Sequence, residues 1–352
     1  MPCLAGDLLV SLPVCFHHSP LERIAVSSQD QQIMFIFPGQ GSQYVGMGSD
    51  LIRDFPIARQ LYEQANDILG YDLVKLCQEG PEEKLKLTRY TQPALLVHSL
   101  ACLDIFRELT DNRVDPIITG GHSLGEYCAL VAAGALDFET ALRLVQKRGE
   151  CMADYGSGEM LAFPLHLDNI QPLAEKHYCV VAARNLLDQI VVGGLGEDLD
   201  RLTADAHTHF PRKRPTRLKT EGAFHTFYMI TAALHFRPAL DAAEMDTPTI
   251  RILSNNTGGY HDPDPAAIKT RLFFQLFHPV HWIDNLEMAF HDGITCIVEF
   301  GGGLGSDPNP EDKRPNLESM IKKALRGSDF SAHYHAAINS RTLRETAEAL
   351  RP

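Results

Sequence analysis

The pentapeptide Gly-His-Ser-Leu-Gly at residues 121–125 constrains the fold more than any other feature of this chain. An apolar run at 116–119 precedes it and a helix-like run at 126–133 follows it. A serine between a strand and a helix needs small flanking residues, because the backbone turns sharply there and packs closely. The pattern is typical of a nucleophile elbow, although a glycine-flanked serine also occurs in ordinary turns. The sequence therefore predicts an elbow that exposes Ser123 as the nucleophile of an acyl-transfer enzyme, which would work through an acyl-serine.

Two further segments offer groups that an acyl-serine reaction needs. An apolar strand pattern at 33–37 runs into a glycine-rich turn at 38–43, where backbone N–H groups can face a developing oxyanion; a plain loop is the alternative. The N–H of Leu124, directly after the serine, is the usual second donor. His225, in Gly-Ala-Phe-His, is a candidate base because a neutral imidazole accepts a hydroxyl proton. With 16 histidines in the chain, a structural role for any one of them is the alternative.

Several motifs occur together in the order and near the spacing of one enzyme family. They are Phe-Pro-Gly-Gln-Gly-Ser-Gln at 37–43, Thr-Gln-Pro-Ala-Leu-Leu at 91–96, Gly-His-Ser-Leu-Gly-Glu-Tyr at 121–127, Arg148-Gly149 with Met152, Gly-Ala-Phe-His at 222–225 with Met229, and Pro279-Val280 with Trp282. In these motifs the chain resembles the malonyl-CoA:acyl carrier protein transacylases, especially the free-standing acyltransferases that serve polyketide assembly lines in trans. The resemblance spans about residues 33–300.

The resemblance implies a role for each matching residue. Ser123 corresponds to the nucleophile and His225 to the base. The backbone amides of Gln40 and Leu124 correspond to the oxyanion hole. Arg148 corresponds to the arginine that binds the free carboxylate of a malonyl group, for which a guanidinium fork is well suited. Without the resemblance, Arg148 is better interpreted as a residue of a helix surface.

The resemblance also implies weaker substrate contacts, for His122, Phe224, Asn185 and His281. A bulky Phe224 resembles the malonyl-selecting form of its motif, because it crowds the space of an α-substituent. An Asn after a strand, such as Asn185, is also a common turn residue. The family orients its histidine with a main-chain carbonyl, which we expect from the segment 278–282, where two histidines depart from the usual residues.

The fold implied by the resemblance is an α/β-hydrolase-like large subdomain with an inserted, small ferredoxin-like subdomain. The predicted units are an N-terminal extension at 1–31, the large subdomain at 32–155 and 220–352, and the small subdomain at 156–219. Alternating patterns support the insertion. Strand-like runs lie at 160–165, 178–183 and 189–194, and a helix-like run lies at 168–177.

A polar loop that departs from the family pattern and a basic segment both bear on what this chain binds. A long polar loop at 301–310 replaces the family's Gly-Pro-Gly turn, and we expect it to alter the shape of the entrance, the choice of partner or the acyl specificity. A basic segment at 212–219 precedes the histidine motif. It is either a steering patch for an acidic carrier protein or the phosphates of coenzyme A, or a solvated loop.

The net charge, the cysteine spacing and the apolar runs argue against nucleic-acid binding, a metal site and a membrane span. A net charge of -13 argues against nucleic acid. The apolar run at 8–14 has no basic flank and contains a proline, which argues against a signal peptide or a membrane span. The eight cysteines form no Cys-x-x-Cys pair, so we expect no metal site. We expect a cytoplasmic, monomeric enzyme without a bound cofactor.

The sequence thus predicts an [acyl-carrier-protein] S-malonyltransferase of polyketide or fatty-acid biosynthesis. A malonyl or substituted malonyl group would pass from malonyl-CoA to Ser123, and then to the phosphopantetheine thiol of an acyl carrier protein. One alternative is a trans-acting acyl hydrolase, an editing thioesterase in which water replaces the thiol. Another is a non-catalytic module that binds a carrier protein. Arg148 argues against the first, and the retained reactive groups argue against the second.

Overall fold

The computed structural model describes residues 31–351. The apolar run at 8–14 and all but the last residue of the predicted N-terminal extension lie outside the described residues. Among residues 31–351, no helix has the length and apolar character needed to cross a membrane. Within the same range, no group of three or more His, Cys, Asp or Glu side chains is placed to hold a metal ion.

The chain alternates strands and helices along most of its length. The strands are β1 (Ile33–Phe37), β2 (Ile118–Gly121), β3 (Glu159–Phe163), β4 (Val180–Leu186), β5 (Gln189–Gly194), β6 (Thr216–Arg217), β7 (Arg251–Ser254), β8 (Gly259–Tyr260), β9 (Cys296–Phe300) and β10 (His333–Ala337). The helices are α1 (Ser49–Asp54), α2 (Pro56–Leu69), α3 (Leu73–Glu79), α4 (Glu82–Leu85), α5 (Thr88–Leu109), α6 (Gly125–Ala132), α7 (Phe138–Tyr155), α8 (Leu167–Lys176), α9 (Gly196–His209), α10 (Ile230–Ala242), α11 (Pro265–Gln275), α12 (Trp282–His291), α13 (Glu318–Arg326) and α14 (Ser340–Leu350).

The larger sheet has six strands in the order β10-β9-β1-β2-β7-β8, parallel except for β8. Every residue of β1 is buried, as expected for a parallel strand covered on both faces. Phe37 at the end of β1 pairs with Gly121 at the end of β2. Because these strands are parallel neighbours, the turn at 38–43 and the elbow at 121–125 emerge side by side at one edge of the sheet.

The smaller sheet is antiparallel, in the order β4-β5-β3-β6. With α8 and α9 it forms the βαββαβ succession and strand order of a ferredoxin-like unit, over a separate apolar core. The predicted strands and helix of this region are found within a few residues of their expected bounds. The fold class is α/β as predicted, whereas the division into subdomains at 156–219 stays a prediction.

Two sets of backbone hydrogen bonds connect segments around the site. Val280 pairs with β4 through backbone hydrogen bonds to Ala182 and Arg184, which ties the smaller sheet to the segment after α11. The loop that follows β9 packs against the turn at 38–43: the N–H of Gly303 donates to the carbonyl of Ser42 at 2.8 Å. The long polar loop is therefore hydrogen-bonded directly to this turn.

Candidate active site

The backbone at Ser123 has the strained geometry of an elbow. Its φ is 53°, in the left-handed region that non-glycine residues rarely adopt. A Cβ at Gly121 would lie 1.9 Å from the carbonyl carbon of Gly125, and a Cβ at Gly125 would lie 2.1 Å from the carbonyl oxygen of Phe37. Both glycines of the pentapeptide are therefore required by close packing, which confirms the strand–turn–helix interpretation of this segment.

Asn255 holds the elbow from the neighbouring strand. Its Oδ1 accepts from the N–H of Ser123 at 2.6 Å, and its Nδ2 donates to the carbonyl of Gly121 at 2.7 Å. Asn255 is fully buried directly after β7, which pairs with β2. Asn255 belongs to none of the sequence motifs. The only feature of the sequence that could indicate its role is its position directly after a short apolar strand.

Ser123 and His225 meet as predicted, although they lie 102 residues apart. The serine Oγ lies 2.8 Å from Nε2 of the histidine, and Nδ1 lies 2.7 Å from the main-chain carbonyl of Gln275. A carbonyl only accepts, so Nδ1 carries the proton and Nε2 is free to accept the serine proton.

The expected source of this carbonyl, the segment 278–282, was wrong. Gln275 ends α11, and the last carbonyls of a helix have no partner within the helix. One of them is therefore available to orient the imidazole of His225. A pattern search on the Pro-Val motif cannot find it, because the contact is made by the backbone of Gln275, four residues before Pro279.

His225 is an uncharged base in the free protein. Burial, and then the positive charge of Arg148, lower the pKa of His225 to about 3, while the hydrogen bond to the Gln275 carbonyl works in the opposite direction. A base of low pKa does not hold a proton in the resting state, so Nε2 stays available to Ser123.

Arg148 lies on α7 and is fully buried, which excludes the helix-surface interpretation. Nη1 donates to Oε1 of Gln92 at 2.8 Å, and Nη2 donates to Oε1 of Gln275 at 3.0 Å and to Oγ of Ser123 at 3.1 Å. Among residues 31–351, no carboxylate lies within 4.0 Å of this guanidinium. Arg148 is thus a buried cation held by amide oxygens, directly beside the serine hydroxyl.

The two predicted oxyanion donors face the same space. Gln40 and Leu124 both line the cavity that contains Ser123 and His225. Within the described part of the chain, neither backbone N–H donates to a protein acceptor. Unpaired N–H groups at the carboxyl ends of β1 and β2 are what an oxyanion site requires.

The cavity around Ser123 holds about 200 Å³ and has mixed polar and apolar walls. Gln40, Gln92, Ser123, Leu124 and His225 line it, together with Met152, Met160, Val191, Leu218, Asn316 and Met320. His122, Asn185 and Phe224 line it too, and Nε2 of His122 lies 2.9 Å from Oδ1 of Asn185. Burial lowers the pKa of His122.

His281 does not line this cavity, contrary to expectation. Its Nδ1 lies 2.9 Å from a carboxylate oxygen of Asp284 in the first turn of α12. The backbone of the Pro-Val segment reaches the smaller sheet, but the imidazole pairs locally on the other side of that connection. A direct substrate contact is therefore withdrawn for His281.

Comparison with known proteins agrees with this geometry. The model of the acyl transferase domain family matches residues 34–270. A malonyl CoA-acyl carrier protein transacylase of Haemophilus influenzae is 38% identical over 282 residues, 78% of this chain and 89% of that protein.

Solved structures give the same result. The malonyl CoA-acyl carrier protein transacylase from Coxiella burnetii matches with a TM-score of 0.81 at 30% identity, over 92% of this chain and 98% of that one. A malonyl-transacylase in complex with a type II polyketide synthase acyl carrier protein matches with a TM-score of 0.79 at 30% identity, over 90% of this chain and 99% of that one. The matched family region contains Ser123, Arg148 and His225. The chain therefore belongs to the acyl transferase domain family and, within it, to the malonyl-CoA:acyl carrier protein transacylases.

Proposed function

We propose that this protein transfers a malonyl group from coenzyme A, through an ester on Ser123, to the phosphopantetheine thiol of an acyl carrier protein. The observation that carries the proposal is Arg148, a buried guanidinium that lies 3.1 Å from the serine oxygen and has no carboxylate partner among residues 31–351. A buried cation is costly unless something compensates its charge. The free carboxylate of a malonyl group would supply that compensation.

The first half-reaction forms the acyl-enzyme. Nε2 of His225 takes the proton from Ser123 while Oγ attacks the thioester carbonyl, and the N–H groups of Gln40 and Leu124 stabilise the oxyanion. The C–S bond then breaks, and the imidazolium returns its proton to the departing coenzyme A thiolate. The products are free coenzyme A and malonyl-Ser123.

The second half-reaction reverses these steps with a different thiol. His225 deprotonates the phosphopantetheine thiol of the carrier protein, and the sulfur attacks the ester carbonyl. Ser123 leaves with the proton from the imidazolium. Neither half-reaction needs a group beyond the side chains and backbone amides of the site. We therefore propose that the enzyme works without a bound cofactor. We also propose that it is a monomer and that it acts in the cytoplasm.

Arg148 accounts for the acyl selectivity of the proposed transferase. A charge-assisted hydrogen bond contributes about 1.5 to 3 kcal/mol, which corresponds to roughly tenfold to a hundredfold preference for malonyl over acetyl. Phe224 and His122 line the same cavity, and we propose that they contact the acyl group, with Asn185 orienting His122.

The test is a competition between malonyl-CoA and acetyl-CoA, with the intact mass of the protein as the readout. We expect a malonyl adduct that is absent in Ser123→Ala and that moves to an added phosphopantetheinylated carrier protein. An adduct lost to water faster than to the carrier would favour the hydrolase. No adduct with any acyl-CoA would favour the binding module and overturn the proposal.

A further inference from the structure

Glu126 is a fully buried carboxylate behind the site, in the first turn of α6. It has no role in the proposed proton transfers. Oε1 lies 2.6 Å from Nε2 of His261, and Oε2 accepts from the N–H of Asn255 at 3.1 Å and from Nε2 of Gln275 at 2.8 Å. Three donors that lie 129, 135 and 149 residues away in the sequence thus converge on one carboxylate.

These contacts decide which way the Gln275 amide points. Its Nε2 lies 2.9 Å from the carbonyl of Ser123 and 2.8 Å from the carboxylate of Glu126. Both partners only accept hydrogen bonds, so the nitrogen has to occupy this side of the amide. The amide oxygen therefore faces the other side, where it accepts from Nη2 of Arg148 at 3.0 Å.

We propose that Glu126 is a positioning residue for malonyl selectivity, acting on Arg148 through the Gln275 amide. The carboxylate lies one amide away from the guanidinium, so it orients Arg148 without pairing with it directly. A direct ion pair would compete with the carboxylate of the substrate for the same N–H groups. The amide between them is a neutral acceptor, and within residues 31–351 Nε of Arg148 has no hydrogen-bond partner, so a donor remains for the substrate; the inference rests on the proposed function.

His261 completes the arrangement on the far side. Its side chain is buried, and the Nε2 hydrogen bond to Glu126 spans 135 residues of sequence. Within residues 31–351, Nδ1 has no hydrogen-bond partner, so Glu126 is the sole protein partner of this imidazole. We assign His261 the role of holding Oε1, which leaves Oε2 directed at Gln275.

The experiment compares Glu126→Gln with Asp50→Asn, a matched change at a buried carboxylate that accepts from the N–H of Ser340 in another part of the fold. The Glu126→Gln change replaces one of the two acceptor-only partners of this nitrogen with a neutral amide, so only the Ser123 carbonyl still requires the Gln275 amide to keep its present orientation. The readout is the ratio of the second-order rates at which malonyl-CoA and acetyl-CoA acylate Ser123. This ratio does not depend on the fraction of protein that is folded.

We expect Glu126→Gln to lower the malonyl-to-acetyl ratio by about tenfold, the value of one hydrogen bond to a charged group. Asp50→Asn should leave the ratio within about twofold of the unmodified protein. His261→Leu should lower it by a few-fold, and His261→Gln, which retains a donor for Glu126, should restore it.

A Glu126→Gln ratio equal to that of the unmodified protein, measured on folded protein, would overturn the inference and leave the proposed function intact. By contrast, absence of malonyl selectivity in the unmodified protein would contradict the proposed function itself. The two failures are therefore distinguished within one experiment.

Discussion

Two cationic regions of this molecule differ in what surrounds their charge. Arg148 is buried, and its hydrogen bonds go to amide and hydroxyl oxygens. Arg217, in the basic segment at 212–219, is half exposed and pairs with the carboxylates of Glu159 and Asp200. The exposed charge is paired directly with carboxylates of the protein, whereas within residues 31–351 the buried one has no carboxylate within 4.0 Å. Lack of a directly paired carboxylate in the described part of the chain, rather than the presence of an arginine, marks the site for an anionic substrate.

The basic segment is itself not uniform. Arg212, Lys213 and Arg214 are exposed and, among residues 31–351, have no carboxylate within 4.0 Å. Farther along the same segment, Leu218 and the adjoining Thr220 line the cavity of Ser123. The segment therefore leads from an unpaired positive surface to the site, which supports a steering role over that of a merely solvated loop.

The largest expected effect comes from the nucleophile. Ser123→Ala should abolish the acyl adduct, because no other hydroxyl lies within hydrogen-bond reach of Nε2 of His225 in the described structure. Ser306→Ala, at an exposed serine of the loop after β9, is the control and should label normally. Intact mass after incubation with malonyl-CoA is the measurement. An adduct of undiminished yield in Ser123→Ala would place the chemistry elsewhere.

The comparison of the two arginines is tested by changing each to alanine. Arg148→Ala should reduce the preference for malonyl over acetyl by about tenfold to a hundredfold, because the substrate carboxylate loses its charge-assisted partner. Arg217→Ala should leave the preference unchanged within about twofold, since its carboxylate partners are part of the protein. Rates of Ser123 acylation by the two thioesters give both values. Equal losses in the two variants would show that the difference in carboxylate pairing between Arg148 and Arg217 does not decide malonyl selectivity.

The pH dependence of acylation tests the effect of the buried Arg148 charge on the pKa of His225. A group whose pKa is lowered to about 3 keeps its neutral form until the pH falls toward that value, so acylation should be nearly flat from pH 8 to 5. An ordinary histidine would be only about 3% neutral at pH 5. Removing Arg148 should raise this pKa, so Arg148→Ala should lose activity at a higher pH. A midpoint near pH 6.5 in the unmodified protein would contradict the account.

The smallest effect is expected at the surface. Changing Arg212, Lys213 and Arg214 together to glutamine should weaken productive encounter with an acidic carrier protein by a few-fold at low salt. The difference should vanish at high salt, since exposed charges are screened over about 10 Å at 0.1 M. Transfer rates at two ionic strengths measure it. A loss that persists at high salt would indicate a direct contact rather than steering.

The sequence predicts those parts of the site that are carried by local motifs. The elbow, the turn at 38–43 and the histidine motif each combine a short pattern with a strand or helix, so their positions at one sheet edge follow from parallel topology. Arg148 is different. Its helix has an ordinary amphipathic pattern, and only the resemblance to the family indicated that this arginine lies inside the protein.

The supporting contacts could not be predicted in the same way. Gln275 contributes a main-chain carbonyl, Asn255 lies 132 residues from Ser123, and His261 meets Glu126 across 135 residues. Such pairs depend on how strands and helices pack, and nothing in their local sequence marks them. The expected source of the carbonyl and the expected substrate contact of His281 were both wrong. Which way a carbonyl or a side chain points at the end of a helix depends on how that helix packs in the fold.

The most direct test of the central claim is a crystal structure of the protein after reaction with malonyl-CoA. We expect an ester on Oγ of Ser123 whose free carboxylate accepts two hydrogen bonds from Arg148 at about 2.7–2.9 Å. A carboxylate that points away from Arg148 into solvent, with the guanidinium still held by Gln92 and Gln275, would contradict the account.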